Sequence, residues 1–118
     1  MSEKTQSEIT YDELLEEIAE QLKILGHAQR LRILDFLREN NESRVGEIVR
    51  KTKLPQPVVS LHLNKMRRSG LVVARRDARE VYYWISTELA HVVADVLHRR
   101  HDRALGLDSG ETSSMPSS

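Results

Sequence analysis

"LPQPVVSLHLNKM" runs from Leu54 to Met66 and sets two prolines around one glutamine just ahead of a helical pattern. Val59, Leu63 and Met66 recur at i, i+4 and i+7, which is one face of an α-helix. Gln56, Ser60, Leu61, Asn64, Lys65 and Arg68 fall largely away from that face. Proline fixes its own φ and disfavours helix at the residue before it, so Pro55 holds the turn extended at Leu54. Pro57 suits the first helical turn, where its missing N–H costs nothing. A backbone stiffened twice before a helix with a polar outer side implies that this side meets something outside the protein at a fixed angle.

The flanking sequence supplies a frame for that helix. Thr10-Tyr11-Asp12-Glu13 has the T-x-x-E form of a capping box, and Leu15, Ile18, Leu22 and Leu25 follow at helical spacing up to Gly26. This predicts a first helix from Tyr11 to Leu25. Leu31, Ile33, Leu34 and Leu37 predict a second, ending near Asn40-Asn41. A short third is expected around 46–51, with Val45, Ile48 and Val49 inward, followed by the Lys53-Leu54-Pro55 turn. After Gly70, the runs 71–74 and 80–85 are rich in β-formers and read as a hairpin whose tip, 75–79, is basic. Ser86 or Thr87 can cap a last helix running from Glu88 to about Leu105, packed through Leu89, Val92, Val93, Val96 and Leu97.

Helix, helix, short helix, turn, helix, hairpin, helix is a winged helix-turn-helix order, mainly α with a small β-hairpin. Two short helices fix the angle of a third, which can lie in the major groove of DNA while the hairpin reaches nearby phosphates. One domain, 10–105, is expected between a flexible tail at 1–9 and a disordered tail at 106–118.

Composition narrows the partners. The 118 residues have no net formal charge, but the charges are segregated. Seven acids lie between Glu3 and Glu20 against Lys4 alone, whereas 44–79 holds ten Lys or Arg against Glu47 and Asp77. A basic middle third suits a polyanion. Cysteine is absent, which removes disulfides, thiolate metal sites and thiol redox switches. Neither a signal peptide nor an apolar run near the ~20 residues of a membrane helix is present, so a cytoplasmic location is expected.

Three stretches then carry a resemblance. "LKILGHAQRLRILDFL" (22–37), "LPQPVVSLHLNKMRRSGLV" (54–72) and "RRDAREVYYWI" (75–85) together resemble the ArsR/SmtB family of bacterial winged-helix transcriptional repressors. The resemblance implies a homodimer that binds a palindromic operator and releases it when an effector, often a metal ion, binds. It places Gln56 and Ser60 at positions that touch bases. Leu61 stands where relatives often carry a second histidine, and an outward leucine can contact a thymine methyl. Gln56 can read adenine; Lys65, Arg67, Arg68, Arg76 and Arg79 are expected on phosphates, with Pro57 and Asn64 on the same surface. His62 reads equally as a structural hydrogen-bonding group or a DNA contact.

The effector is less legible. Ser43 to Gly46 replaces the thiols that many relatives carry there, which excludes thiolate and persulfide sensing. His98-x-x-His101 matches half of the family's other metal site, but the D-x-H half is missing. His91, Asp95, His98 and Asp102 form one stripe along the last helix, and with His101 could serve zinc, nickel or cobalt across a dimer. The same stripe reads as a solvated face beside Arg99, Arg100 and Arg103, in a protein governed by its own abundance or by protons.

An enzyme is not expected: Ser60 and His62 cannot face each other on one helix, and phosphate loops and nucleophilic cysteines are missing. The competing reading is a winged-helix protein-interaction module without DNA. The first and last helices each carry more apolar positions than one helix face of a small domain can cover, as with Leu14, Leu15, Ile18, Leu22 and Leu25. This predicts a dimer through these two helices that would space two recognition helices by ~34 Å.

Overall fold

Thr10 opens the first helix as its sequence implies. Its Oγ1 accepts from the Glu13 N–H at 3.1 Å, and the Glu13 carboxylate accepts from the Thr10 N–H at 3.0 Å. The structure, a computed structural model, describes residues 8–106. Its elements are α1 (Tyr11–Leu25), α2 (Ala28–Asn40), β1 (Ser43–Arg44), α3 (Val45–Thr52), α4 (Gln56–Arg68), β2 (Val72–Asp77), β3 (Glu80–Ile85) and α5 (Glu88–Ala104). Apart from Glu8, Ile9 and Gly106, the tails expected at 1–9 and 106–118 lie outside the described residues.

One core joins the elements. Ile33, Leu34 and Leu37 of α2, Ile48 of α3 and Val59, Leu63 and Met66 of α4 meet Leu71, Val72 and Ile85 of the sheet, Ala90 and Ala94 of α5, and Leu25 of α1. The Val59/Leu63/Met66 stripe is wholly buried, so its spacing fixes which side of α4 faces out. None of the described helices is long and apolar enough to cross a membrane.

Three sequence expectations need correction. The sheet has three antiparallel strands in the order β1-β3-β2, rather than a hairpin alone. Ser43 pairs with Tyr83 and Arg44 with Tyr82; a two-residue strand is too short to show alternation. The basic tip is also shorter than 75–79. β2 continues until Asp77 pairs with Glu80, leaving Ala78 and Arg79 as the turn. Arg75 and Arg76 are therefore strand residues.

The third correction concerns α5. Val92 is 50% exposed and Val96 is also exposed, while Ala90 and Ala94 are fully buried. Small residues let α5 approach α2 closely. The larger valines, read from hydrophobicity alone as core, point out of the protomer.

Candidate nucleic-acid interface

Pro55 is the N-cap of α4, with φ −61° and ψ 147°, and Pro57 sits in the first turn. The Pro55 carbonyl accepts from the N–H groups of both Val58 and Val59 at 3.0 Å. Lys53, in the left-handed region at φ 63°, ends α3 and turns the chain toward α4. Thr52 steadies the corner: its hydroxyl donates to the Ile48 carbonyl at 2.7 Å and accepts from the Leu54 N–H at 3.3 Å. The two prolines thus bracket a helix start whose direction is set by local bonds.

With 3.6 residues per turn, Pro57, Leu61, Asn64 and Arg68 lie opposite the buried stripe, with Gln56, Ser60 and Arg67 to one side and Lys65 to the other. Gln56, Pro57, Ser60, Arg67 and Arg68 are exposed, and Asn64 and Lys65 are half-buried. Leu61 is 53% exposed, an apolar side chain in the middle of a polar surface. Asn64 is tied to its neighbour, its carbonyl oxygen accepting from the Arg67 guanidinium at 2.7 Å. Lys65 and Arg68 border a cleft shared with Glu20, Ile24 and Ser69, so this edge of α4 faces α1.

The basic residues of the middle third divide into two groups. Arg75 donates to Glu42 at 2.9 Å, lies 3.6 Å from Asp77, and stacks over the Tyr82 ring. Its hydrogen bond holds the Glu42 carboxyl below the usual carboxylate range. Arg44 is 3.4 Å from Glu47 and 3.9 Å from Glu80. These two brace the wing internally, which the raw charge count could not reveal. Arg76 and Arg79 are exposed on the far part of the hairpin. α4 and the wing together present Gln56, Ser60, Leu61, Arg67, Arg68, Arg76 and Arg79: groups able to read base edges beside groups able to neutralise phosphates.

His62 resolves in favour of structure. It is 4% exposed, beneath α4, where Arg30 Nε donates to its Nδ1 at 3.0 Å and its Nε2 meets Gln29 Oε1 at 3.0 Å. The His27 ring packs edge-on at 4.6 Å. Gln29 and Arg30 were not singled out by sequence; only the apolar neighbourhood of His62 hinted that a buried polar group would need partners.

The α5 stripe is divided. Arg38 Nε donates to Asp95 at 2.6 Å, which holds the Asp95 carboxyl low. His98 faces Glu39 of α2 at 2.8 Å through Nδ1 and Asp102 at 3.2 Å through Nε2, with Asp35 3.8 Å away. His91 and His101 are exposed. Among the described residues of one chain, no group of three or more His, Asp or Glu side chains is arranged to hold a metal ion.

Comparison with known proteins agrees with this geometry. Residues 27–73 match the family model described as bacterial regulatory protein, arsR family. The chain is 37% identical over 83 residues to the transcriptional activator HlyU of Vibrio cholerae, covering 70% of this chain and 76% of that protein. It is 39% identical over 85 residues to the transcriptional repressor PagR of Bacillus anthracis, covering 71% and 84%. The PagR crystal structure superposes with a TM-score of 0.66 at 36% identity, over 70% of this chain and 94% of that one. A homodimeric winged helix-turn-helix DNA-binding domain from Mycobacterium bovis gives 0.67 at 28% identity, over 89% and 94%. With that fold, that outward helix and these relatives, the chain belongs to the ArsR family of winged helix-turn-helix transcriptional regulators, and it is a DNA-binding regulator rather than an enzyme.

Proposed function

We propose that the protein is a homodimeric repressor acting in the cytoplasm, which inserts α4 of each protomer into successive major grooves of a palindromic operator. Gln56, Ser60 and Leu61 read base edges, Arg67 and Arg68 meet the flanking phosphates, and Arg76 and Arg79 of the wing reach the backbone beyond. The observation that carries this reading is the two-sided character of α4: one stripe completely buried, the other polar and exposed. The dimer part rests on a different surface. Leu14, Leu15 and Leu22 of α1 and Val92 and Val96 of α5 are exposed in the protomer, and an apolar surface on these two helices suits a second copy. Named relatives include both an activator and a repressor, and the repressor reading follows the second of these. Asp95 and His98 already have partners within one protomer, which argues against metal-triggered release.

Selecting bound duplexes from a random pool tests this directly. A palindrome with half-sites about one turn apart is expected, its affinity falling steeply with salt as counterions are released. Changing Gln56 and Ser60 together to Ala should cost ~1–3 kcal/mol on the selected operator and much less on random DNA. Equal losses on both would show that these side chains do not read bases. A flat salt response would favour a protein-interaction module.

A further inference from the structure

We infer that His62 is a positioning residue for DNA recognition: in its neutral form it clasps the recognition helix to the α1–α2 corner, and its protonation opens that clasp. The inference rests on the reading of α4 as the DNA-contacting helix.

The hydrogen-bond pattern fixes the proton. Arg30 Nε–H can only donate, so His62 Nδ1, 3.0 Å away, must offer a lone pair. In a neutral ring the proton then sits on Nε2 and is donated to Gln29 Oε1 at 3.0 Å. The same Arg30 guanidinium donates through Nη1 to the Ile24 carbonyl at 2.9 Å, one of the carbonyls left open at the C-terminal end of α1. One side chain therefore joins the last turn of α1, the first turn of α2 and the middle of α4. α1 is the helix assigned above to the dimer. The clasp sets the angle of each recognition helix relative to the partner's, on which the half-site spacing depends.

A second proton on His62 removes the acceptor and places an imidazolium against a guanidinium. The basic groups around the ring oppose that charge. Arg30 and His27 face the ring from the α1–α2 corner, Lys65 from α4 itself, and Gln29 is neutral. On α1, Glu20 lines a cleft with Lys65 and brings an acidic group to that side. Burial above all, then Arg30, His27 and Lys65, lower the His62 pKa below the ordinary histidine value. The clasp is thus complete at neutral pH and is lost as the pH falls through that lowered value.

The test compares operator affinity at constant ionic strength from about pH 8 down to about pH 5 for the wild type, His62→Gln and His62→Leu. An amide offers Arg30 an acceptor and Gln29 a donor, but does not titrate in this range. His62→Gln should keep the neutral-pH affinity and lack the roughly tenfold acid loss of the wild type, the loss expected for one charge-assisted hydrogen bond. His62→Leu leaves the guanidinium without its acceptor and should bind at every pH roughly tenfold more weakly than the wild type does at neutral pH. Coincident pH profiles for wild type and His62→Gln overturn the inference, and so does wild-type affinity in His62→Leu. If His62→Leu does not fold, the first comparison decides alone. Wild-type protein that binds no duplex at low salt would count against the DNA reading, whereas wild type that binds while His62→Gln matches it at every pH counts against the clasp only.

Discussion

α4 and α5 both leave side chains uncovered by their own protomer, but of opposite chemistry. α4 buries Val59, His62, Leu63 and Met66 and turns Gln56, Ser60, Arg67 and Arg68 outward. α5 buries Ala90 and Ala94 and leaves Val92 and Val96 exposed, and α1 leaves Leu14, Leu15 and Leu22 exposed. A polar, cationic surface on a rigid helix is stable in water and gains from a polyanion. An apolar surface is costly in water and gains from another apolar surface. The protomer thus carries one face suited to nucleic acid and a second, apolar one, which is the face proposed above for its own copy.

The sharpest way to break this contrast is to truncate one residue on each side of it. Leu63, wholly buried, should cost 2–5 kcal/mol when changed to Ala, read as a lower denaturation midpoint at unchanged m. Val92→Ala should cost under ~1 kcal/mol in dilute protein, since Val92 is half exposed in the protomer. A Val92 loss as large as that of Leu63 under dilute conditions would make Val92 a core residue and remove the argument for a dimer face.

The next effect is on assembly. Val92→Asp places a charge in the apolar surface, where pairing of two copies would desolvate it. Sedimentation should show dissociation at concentrations where the wild type is dimeric. Operator affinity should fall roughly a hundredfold, because each protomer then binds its half-site alone. A variant that stays dimeric with intact affinity would place the interface elsewhere.

These surfaces differ in how far the sequence reveals them. Pro55, Pro57 and the Val59/Leu63/Met66 spacing announce both the helix and its orientation, because a polar residue at an outward position has no competing reason to be there. α5 is less transparent. Hydrophobicity says that Val92 and Val96 favour burial but not whether their own chain or another covers them, so the sequence predicts a surplus on α5 without saying which residues form it. Ala90 and Ala94, which do fill the core, carry too little side chain to stand out. The charge count failed for a related reason: Arg44 and Arg75 meet carboxylates brought to them by tertiary contacts, Glu80 across the sheet and Glu42 from the loop before β1.

The wing sharpens the contrast on the DNA side. Arg76 and Arg79 are exposed, whereas Arg75 is held by Glu42. Changing Arg76 or Arg79 to Ala should weaken operator and random DNA alike and reduce the slope of log affinity against log salt by about 1. Arg75→Ala should leave that slope nearly unchanged while loosening the hairpin, visible as faster amide exchange in β2. Were Arg75 to alter the slope as much as Arg79, its ion pairs would not survive DNA binding.

The smallest effect lies at the α2–α5 seam, behind the apolar face of α5. Asp95 has its carboxyl pKa lowered chiefly by the Arg38 hydrogen bond, so the folded state binds fewer protons there than the unfolded chain does. Its contribution is present above the ordinary carboxylate value and is lost as pH falls through the lowered one. Both partners are partly solvated, so the effect is that of a surface pair, screened by salt. Arg38→Ala should flatten stability against pH over that acid window, its small loss showing at neutral pH and vanishing below the window. Because the same bond occupies Asp95, and Glu39 with Asp102 occupies His98, zinc, nickel or cobalt should leave operator affinity unchanged in the wild type. Metal-driven release that disappears in His91→Ala with His98→Ala would show instead that dimerisation breaks these pairs and assembles a site from both α5 helices.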